Sequence, residues 1–305
     1  MFGRFGVAAQ FVALALVWGS SFFFIKVGLT GLSPGQVAWA RLVFGALALA
    51  VIVLARRRPL PRELVVWGHL AVVGVLMCVL PFLLFSWAEQ HISSGLASIF
   101  NATTPLLTML ISAVALKAEK ITRAGATGLV LGFAGVLVIV GVWHGISLGS
   151  NLTAQLACLG ATTCYGLSFV YLRRFLARRG LDTPTLAFGQ VGIGAVIMLA
   201  LTPVLASSPV HASWPVVLSM LALGVLGTGV AYVWNTNIVT AWGASNAVTV
   251  TYLTPVVGVV LGVAILDEPL SWNQPVGAVL VIAGILAAHG RLTLRSRARA
   301  VAAAS

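Results

Sequence analysis

The sequence predicts an all-α integral membrane protein: ten transmembrane helices built from two inverted five-helix repeats. Three observations lead there. Apolar residues make up 60% of the 305 and charged residues only 8%, where a soluble domain carries about a quarter charged. The apolar residues fall into ten long, continuous stretches. The second half of the chain repeats motifs of the first at an offset of about 150 residues.

The composition excludes several classes at once. With 18 basic and 6 acidic residues there is too little charge to clothe a soluble two-domain enzyme of this length. Three cysteines are too few for a disulfide scaffold. High apolar content and low charge exclude a disordered chain. An integral membrane protein with almost no soluble domain remains.

The stretches run 6–28, 35–55, 64–86, 92–116, 122–142, 152–172, 184–205, 214–236, 243–266 and 274–290. Each approaches or exceeds the roughly 20 residues that a spanning helix needs. Each is continuous and far longer than the alternating segments of about ten residues in a closed barrel. Turn-forming runs separate them, among them Ser33-Pro34-Gly35, Ser93-Ser94-Gly95 and Arg178 to Asp182. The first stretch lacks a small-residue cleavage site and is read as a retained helix, not a signal peptide. The cysteines Cys78, Cys158 and Cys164 fall within stretches and read as small packing residues.

Basic residues set the orientation. With ten spans, 16 of the 18 lie on one side: Arg4; Arg56, Arg57, Arg58, Arg62; Lys117, Lys120, Arg123; Arg173, Arg174, Arg178, Arg179; Arg291, Arg295, Arg297, Arg299. The positive-inside rule then puts both termini in the cytoplasm. The net charge of +12 therefore belongs to short loops, and no nucleic-acid partner is expected. The basic tail reads as an anchor at anionic headgroups.

The repeat is legible in matched motifs. Thr104-Pro105 pairs with Thr254-Pro255, Ala97 with Ala247, Gly74-Val75-Leu76 with Gly224-Val225-Leu226, and Pro34 with Pro184. With a small shift, Trp18-Gly19-Ser20-Ser21-Phe22 pairs with Tyr165-Gly166-Leu167-Ser168-Phe169, and Lys26 falls on Arg173. After a gap, Glu119 pairs with Glu268, and Gly128 and Gly135 with Gly277 and Gly284. This divides the chain into a first repeat (1–143), an outer connecting loop (144–151), a second repeat (152–290) and a basic cytoplasmic tail (291–305). Five spans is an odd number, so the second repeat enters from the opposite side. Two inverted halves can exchange roles around a fixed midplane site, which suits alternating access; duplication retained only for packing is the other explanation.

On these motifs, from Trp18-Gly19-Ser20-Ser21-Phe22 with Lys26, through Arg41 and Trp87-Ala88 to Pro105 and Glu119, and again from Gly243 to Pro255, Glu268, Gly277 and Gly284, the chain resembles the EamA-type branch of the drug/metabolite transporter superfamily. The likeness covers nearly the whole chain, with Asp267 immediately before Glu268 as a departure. It implies a bacterial inner-membrane transporter, similar to exporters of amino acids and related metabolites.

The repeat also indicates where a substrate would sit. Ala97, Asn101, Thr104 and Thr108 form one stripe on the fourth span, and Ala247, Thr251, Thr254 and Gly258 are their partners on the ninth. Polar side chains inside a bilayer usually face the bundle interior, either lining a cavity or bonding between helices and to their own backbone. Phe82, Phe85, Ser86 and Glu89 on the third span face Tyr232, Asn235, Thr236 and Val239 on the eighth; Trp18 and Ser21 match Tyr165 and Ser168. Aromatic rings there would enclose a substrate. Trp39, Trp67, Trp143, Trp214 and Trp272 sit at span ends and suit the membrane interface. Pro105 and Pro255 lie mid-span and would kink their helices, as hinges or as fixed shape. Gly128-x-x-x-Gly132 and the pair Gly277 and Gly284 allow close helix approach, within the molecule or between copies.

Lys26, Arg41 and Glu89 share a depth near the outer face and are expected to form a charge cluster acting as a gate or tie. The five histidines are scattered, and no span carries a pair of carboxylates, so neither metal, cofactor nor enzymatic activity is expected. The expected partners are the lipid bilayer and a small-molecule substrate, with amino acids leading through the family resemblance. Efflux of aromatic or cationic toxic compounds, a channel-like permease and a non-transporting scaffold are the alternatives.

Overall fold

The computed structural model describes residues 4–57, 60–116, 121–141, 150–177, 179–205, 207–243, 247 and 249–288. Glu119, Trp143 and the basic tail lie outside the described residues. Among those described there is helix and no strand.

Among the described residues eight helices are long and apolar enough to cross a membrane: α1 (Gly6–Gly28), α2 (Pro34–Ala55), α3 (Leu64–Ala88), α4 (Ser94–Ala115), α5 (Arg123–Val140), α6 (Leu152–Leu176), α7 (Thr183–Ala200) and α8 (Trp214–Trp242). Two shorter apolar helices follow, α9 (Val250–Leu266) and α10 (Asn273–Ala288).

Local sequence explains the helix starts. Ser33 caps α2 through a capping box: its side chain accepts from the Gln36 N–H, while the Gln36 side chain accepts from the Ser33 N–H, and Pro34 opens the helix. Ser93, Thr122 and Asp182 cap α4, α5 and α7 by accepting from the N–H three residues on. Gly141, with φ of 68°, ends α5 in the left-handed region where a Cβ is unfavourable.

Several helices are irregular within the span. α4 breaks at Ala102-Thr103 and resumes at Thr104, so Pro105 lies in the first turn of the resumed helix, where its missing N–H removes no bond. Pro255 is instead inside α9. π-helical turns occupy Val75–Val79 of α3, Leu172–Leu176 of α6 and Ala222–Val230 of α8. That of α3 starts within its matched Gly-Val-Leu motif, and that of α8 contains its own. A π turn inserts a residue and re-aims the side chains beyond it.

Packing runs between helices distant in sequence. α5 lies along α10; α2 packs against α7 and α8, α3 against α6 and α7, α4 against α6 and α9, and α1 against α8 and α9. The glycines make the α5–α10 approach. A Cβ on Gly128 would stand 2.5 Å from the Gly284 carbonyl oxygen, and one on Gly135 2.8 Å from that of Gly277. The contact expected either within the molecule or between copies is thus internal. Such close backbone approach gives dispersion contacts that association in lipid depends on.

Leu42, Leu49, Leu70, Phe100 and Ile238 are fully buried, while Val114 is 84% and Val130 73% exposed. An apolar exterior around an apolar interior is what a lipid-facing bundle requires. Trp39 departs from the interface role expected of it: it packs against the buried clusters around Val37 and Leu42, and its Nε1 is sealed from solvent without a hydrogen-bond partner. Trp214 and Trp272, 79% and 63% exposed, sit on the surface.

Candidate functional site

The polar and aromatic residues gather where α1, α2, α3, α6, α7 and α8 meet. Arg41 is at the centre. Its guanidinium carbon lies 3.8 Å from the Phe82 ring centroid, a cation–π contact between α2 and α3. Tyr165, Cys78, Tyr232 and Glu89 are close enough to act on its charge. Its Nε is sealed from solvent with no hydrogen-bond partner. No acid pairs with it among the described residues.

Aromatic side chains enclose this centre. Tyr165 stacks on Phe85 with centroids 6.3 Å apart, and Phe85 meets Phe22 edge-on at 5.4 Å. Trp18 donates its indole N–H to the Gly227 carbonyl at 3.2 Å, inside the π-helical part of α8. The Tyr232 hydroxyl accepts from Gln190 Nε2 at 3.0 Å. Ser86 and Ser168 are buried with hydroxyls that have no partner, whereas Ser21 donates to the Val17 carbonyl at 3.1 Å.

The stripe on α4 and α9 is arranged differently. Thr104 donates to the Asn101 carbonyl at 2.7 Å, Thr108 to that of Thr104 at 2.8 Å, and Thr254 to that of Thr251 at 3.0 Å. These hydroxyls bond their own helix. Asn101, Thr251 and Asn235 are half-buried. Gly258 faces not a cavity but the neighbouring helices: a Cβ there would meet Ser98 Oγ at 2.4 Å and the Gly19 carbonyl oxygen at 3.4 Å.

Lys26, Arg41 and Glu89 approach one another without an ion pair. The Lys26 ammonium donates to the backbone carbonyls of Glu89 and Ile92. Both Glu89 carboxylate oxygens are buried with no hydrogen-bond partner. Glu89 stands one residue past the end of α3, and burial pushes its carboxyl well above the usual carboxylate range; Lys26 and Arg41 draw it down, and Glu268 raises it further.

Two participants escaped the sequence reading. Glu268 stands in the sequence as the repeat partner of Glu119 with no contact assigned, yet its carboxylate accepts from the Ser94 N–H at 2.8 Å, the Ser94 hydroxyl at 2.9 Å and the Gly95 N–H at 3.2 Å. It caps the N-terminus of α4, where an anion is favoured. Gln190 is the other. A Cβ on Gly74 would meet the Gln190 carbonyl oxygen at 2.7 Å, and one on Gly224 that of Arg41 at 3.1 Å. Because Gly74 and Gly224 are the matched pair, Gln190 is the counterpart of Arg41. The offset there is 149 rather than 150 residues, and a fixed offset conceals the match.

Comparison with known proteins places the chain in a family. The model of the EamA-like transporter family matches residues 6–141 and again 152–288. The chain is 30% identical to a "Probable terminal-alkyne amino-acid exporter" of Streptantibioticus cattleyicolor, over 94% of this chain and 94% of that protein. It is 28% identical to "Uncharacterized transporter YoaV" of Bacillus subtilis, over 90% of this chain and 93% of that one. It is 27% identical to "Uncharacterized inner membrane transporter YedA" of Escherichia coli, over 92% of this chain and 89% of that one. A solved crystal structure, 19% identical, covers 94% of this chain and 97% of its own with a TM-score of 0.65. That likeness is one of fold alone.

Proposed function

The chain belongs to the EamA-like transporter family and is a multi-pass membrane protein; from that premise we propose that it exports small metabolites, amino acids foremost, by alternating access through a central site. All ten apolar helices span the bilayer as two inverted five-helix repeats, with both termini in the cytoplasm of a bacterial cell. The site is drawn from both halves: Trp18, Ser21, Phe82, Ser86 and Asn101 from the first, Tyr165, Ser168, Tyr232, Asn235 and Thr251 from the second. Thr104 and Thr254 support its wall through their backbone, and Pro105 and Pro255 act as hinges.

One observation carries this reading: the principal helix contacts are preserved when the halves are exchanged, with the smaller contacts α1–α4, α4–α5 and α4–α10 as exceptions among the described residues. Pairing α1 with α6, α2 with α7, α3 with α8, α4 with α9 and α5 with α10 converts the contact α2–α8 into α7–α3. It converts α3–α6 into α8–α1 and α4–α6 into α9–α1. The contacts α2–α7, α4–α9 and α5–α10 map onto themselves, and every one of these pairs is packed. A bundle built this way has two related conformations, one open to each side, reached by swapping the arrangement of the halves. The tie from Glu268 to Ser94 closes the outer end of α4 against α9.

Amino acids come first because a relative similar over almost its whole length is named for exporting one. A polar centre enclosed by aromatic rings suits a small zwitterion with an apolar body. The test is loss of label from cells preloaded with radiolabelled amino acids. Cells making the protein should lose it faster than cells making the Gly284→Leu variant, in which the α5–α10 contact is blocked. Equal rates at equal membrane abundance of a folded wild-type protein would reject the export reading.

A further inference from the structure

The guanidinium of Arg41 is a charge inside the bundle with no ion pair among the described residues. An arginine within a spanning helix is costly and is normally paired with an acid or with carbonyls. Here one face of the group lies on the Phe82 ring. Its Nε is buried without a partner, and no hydrogen bond or ion pair reaches its terminal nitrogens from the described residues. Glu89 makes no ion pair with it among the described residues, and both of its carboxylate oxygens are themselves unpartnered. By contrast, the nearby Lys26 has its ammonium held by two backbone carbonyls. The two cations are therefore not equivalent: one is tied, and the other is an unused donor fork.

The surroundings suit an anion. The Tyr232 hydroxyl accepts from Gln190, which leaves its own proton to donate. Tyr165 adds a second phenol near the same charge. The Phe82 ring covers a face of the guanidinium, and at its edge the Nε–H has no hydrogen-bond partner among the described residues. A planar carboxylate is the natural partner of that edge, because two N–H groups in a fixed fork match two oxygens bidentately. A phosphate ester would bring about twice the charge, with only one unpaired cation to meet it.

We propose that Arg41 is the carboxylate anchor of the transport site, so that the chain's substrates must carry a carboxylate and its own fork reads that group. The inference rests on the transporter reading and narrows it. Amino acids and related carboxylic acids are bound through Arg41, while the corresponding amides and decarboxylated amines are excluded.

The test uses purified full-length protein in proteoliposomes loaded with unlabelled amino acids, with a radiolabelled amino-acid mixture outside. Excess unlabelled amino acids should compete with wild-type uptake, and the same excess of their carboxamides should compete roughly 10–100-fold less well, the factor for a lost hydrogen-bonded charge contact. Arg41→Gln should lose uptake by a similar factor, and Arg41→Lys should not restore it, because an ammonium keeps the charge but not the fork. Carboxamides competing as well as the acids in the wild type would overturn the inference while leaving the transport reading intact. So would full uptake by Arg41→Gln. Should that variant fail to fold, the comparison of acid with amide in the wild type still decides. Absence of wild-type uptake would overturn the transport reading and this inference with it.

Discussion

The Glu268 carboxylate holds Ser94 at two points, its backbone N–H at 2.8 Å and its hydroxyl at 2.9 Å. The residues are 174 positions apart and belong to different matched halves. The bond joins the C-terminal end of α9 to the N-terminus of α4, where free N–H groups and the helix dipole favour an anion.

Glu268→Gln should weaken this tie. Bonds to a charged acceptor contribute about 1.5–3 kcal/mol each at most, so a loss of roughly 1–3 kcal/mol is expected for the set. Thermal unfolding in detergent reads the loss. In cells, a cysteine placed at the buried Ser98 of an otherwise cysteine-free protein should react faster with an impermeant thiol reagent when Glu268 is Gln. Unchanged melting and labelling would mean that the tie has no part in closing the outer side.

Gly284→Leu should prevent normal assembly, because a Cβ at that position would already lie 2.6 Å from the Gly132 nitrogen and 2.7 Å from the Gly128 carbonyl oxygen. Gly68→Ala has nothing within 4 Å of the added methyl and should be neutral or stabilising by up to about 1 kcal/mol through helix propensity. Size-exclusion profiles and melting curves of the two variants separate the cases.

Thr104→Val and Thr254→Val should lower stability without touching recognition. Each hydroxyl bonds the carbonyl of Asn101 or Thr251, which lies four residues before Pro105 or Pro255 and so has no N–H to accept from four residues on. A loss of about 1–3 kcal/mol, the cost of an unsatisfied carbonyl, is expected for each. Amino-acid efflux measured beside the melting curve should stay near wild type; a collapse of efflux in a stable variant would give these hydroxyls a direct part in recognition.

Glu89 should make stability depend on pH. Burial raises its carboxyl well above the usual range, so the folded protein holds this proton at pH values where the unfolded chain, with a pKa of about 4.3, has lost it. An acid with a raised folded pKa contributes stability that is full below the unfolded value and declines as pH rises through the folded one. Wild-type melting temperature should fall on passing from acid to alkaline pH through that window. Glu89→Gln should flatten the dependence, and a slope identical to wild type would mean that Glu89 does not carry it.

The spans were legible because the bilayer imposes a length and an apolar composition that short-range reading detects. Eight of the stretches coincide with long helices, and the described parts of the last two form the shorter apolar helices α9 and α10. The features that were missed depend on contacts between distant segments. The π turns in α3 and α8 leave no mark on hydropathy, and they arise where Gly74 and Gly224 meet α7 and α2. Gln190 was hidden by a one-residue change of offset. Trp39 read as an interface residue from its place near a span end, and only the packing of α2 puts it inside. Lys26 and Glu89 were expected to pair as charges, yet the ammonium found the carbonyl of Glu89 at the end of α3 and that of Ile92 in the turn before α4.

The central claim, that this chain is a carrier, is tested most directly by uptake of a radiolabelled amino-acid mixture into proteoliposomes with and without unlabelled amino acids inside. The account predicts saturable uptake that internal amino acids accelerate, since a site exposed alternately to the two sides returns faster when loaded. Uptake that does not saturate and ignores the internal load, or none above empty liposomes from folded, inserted protein, would contradict it.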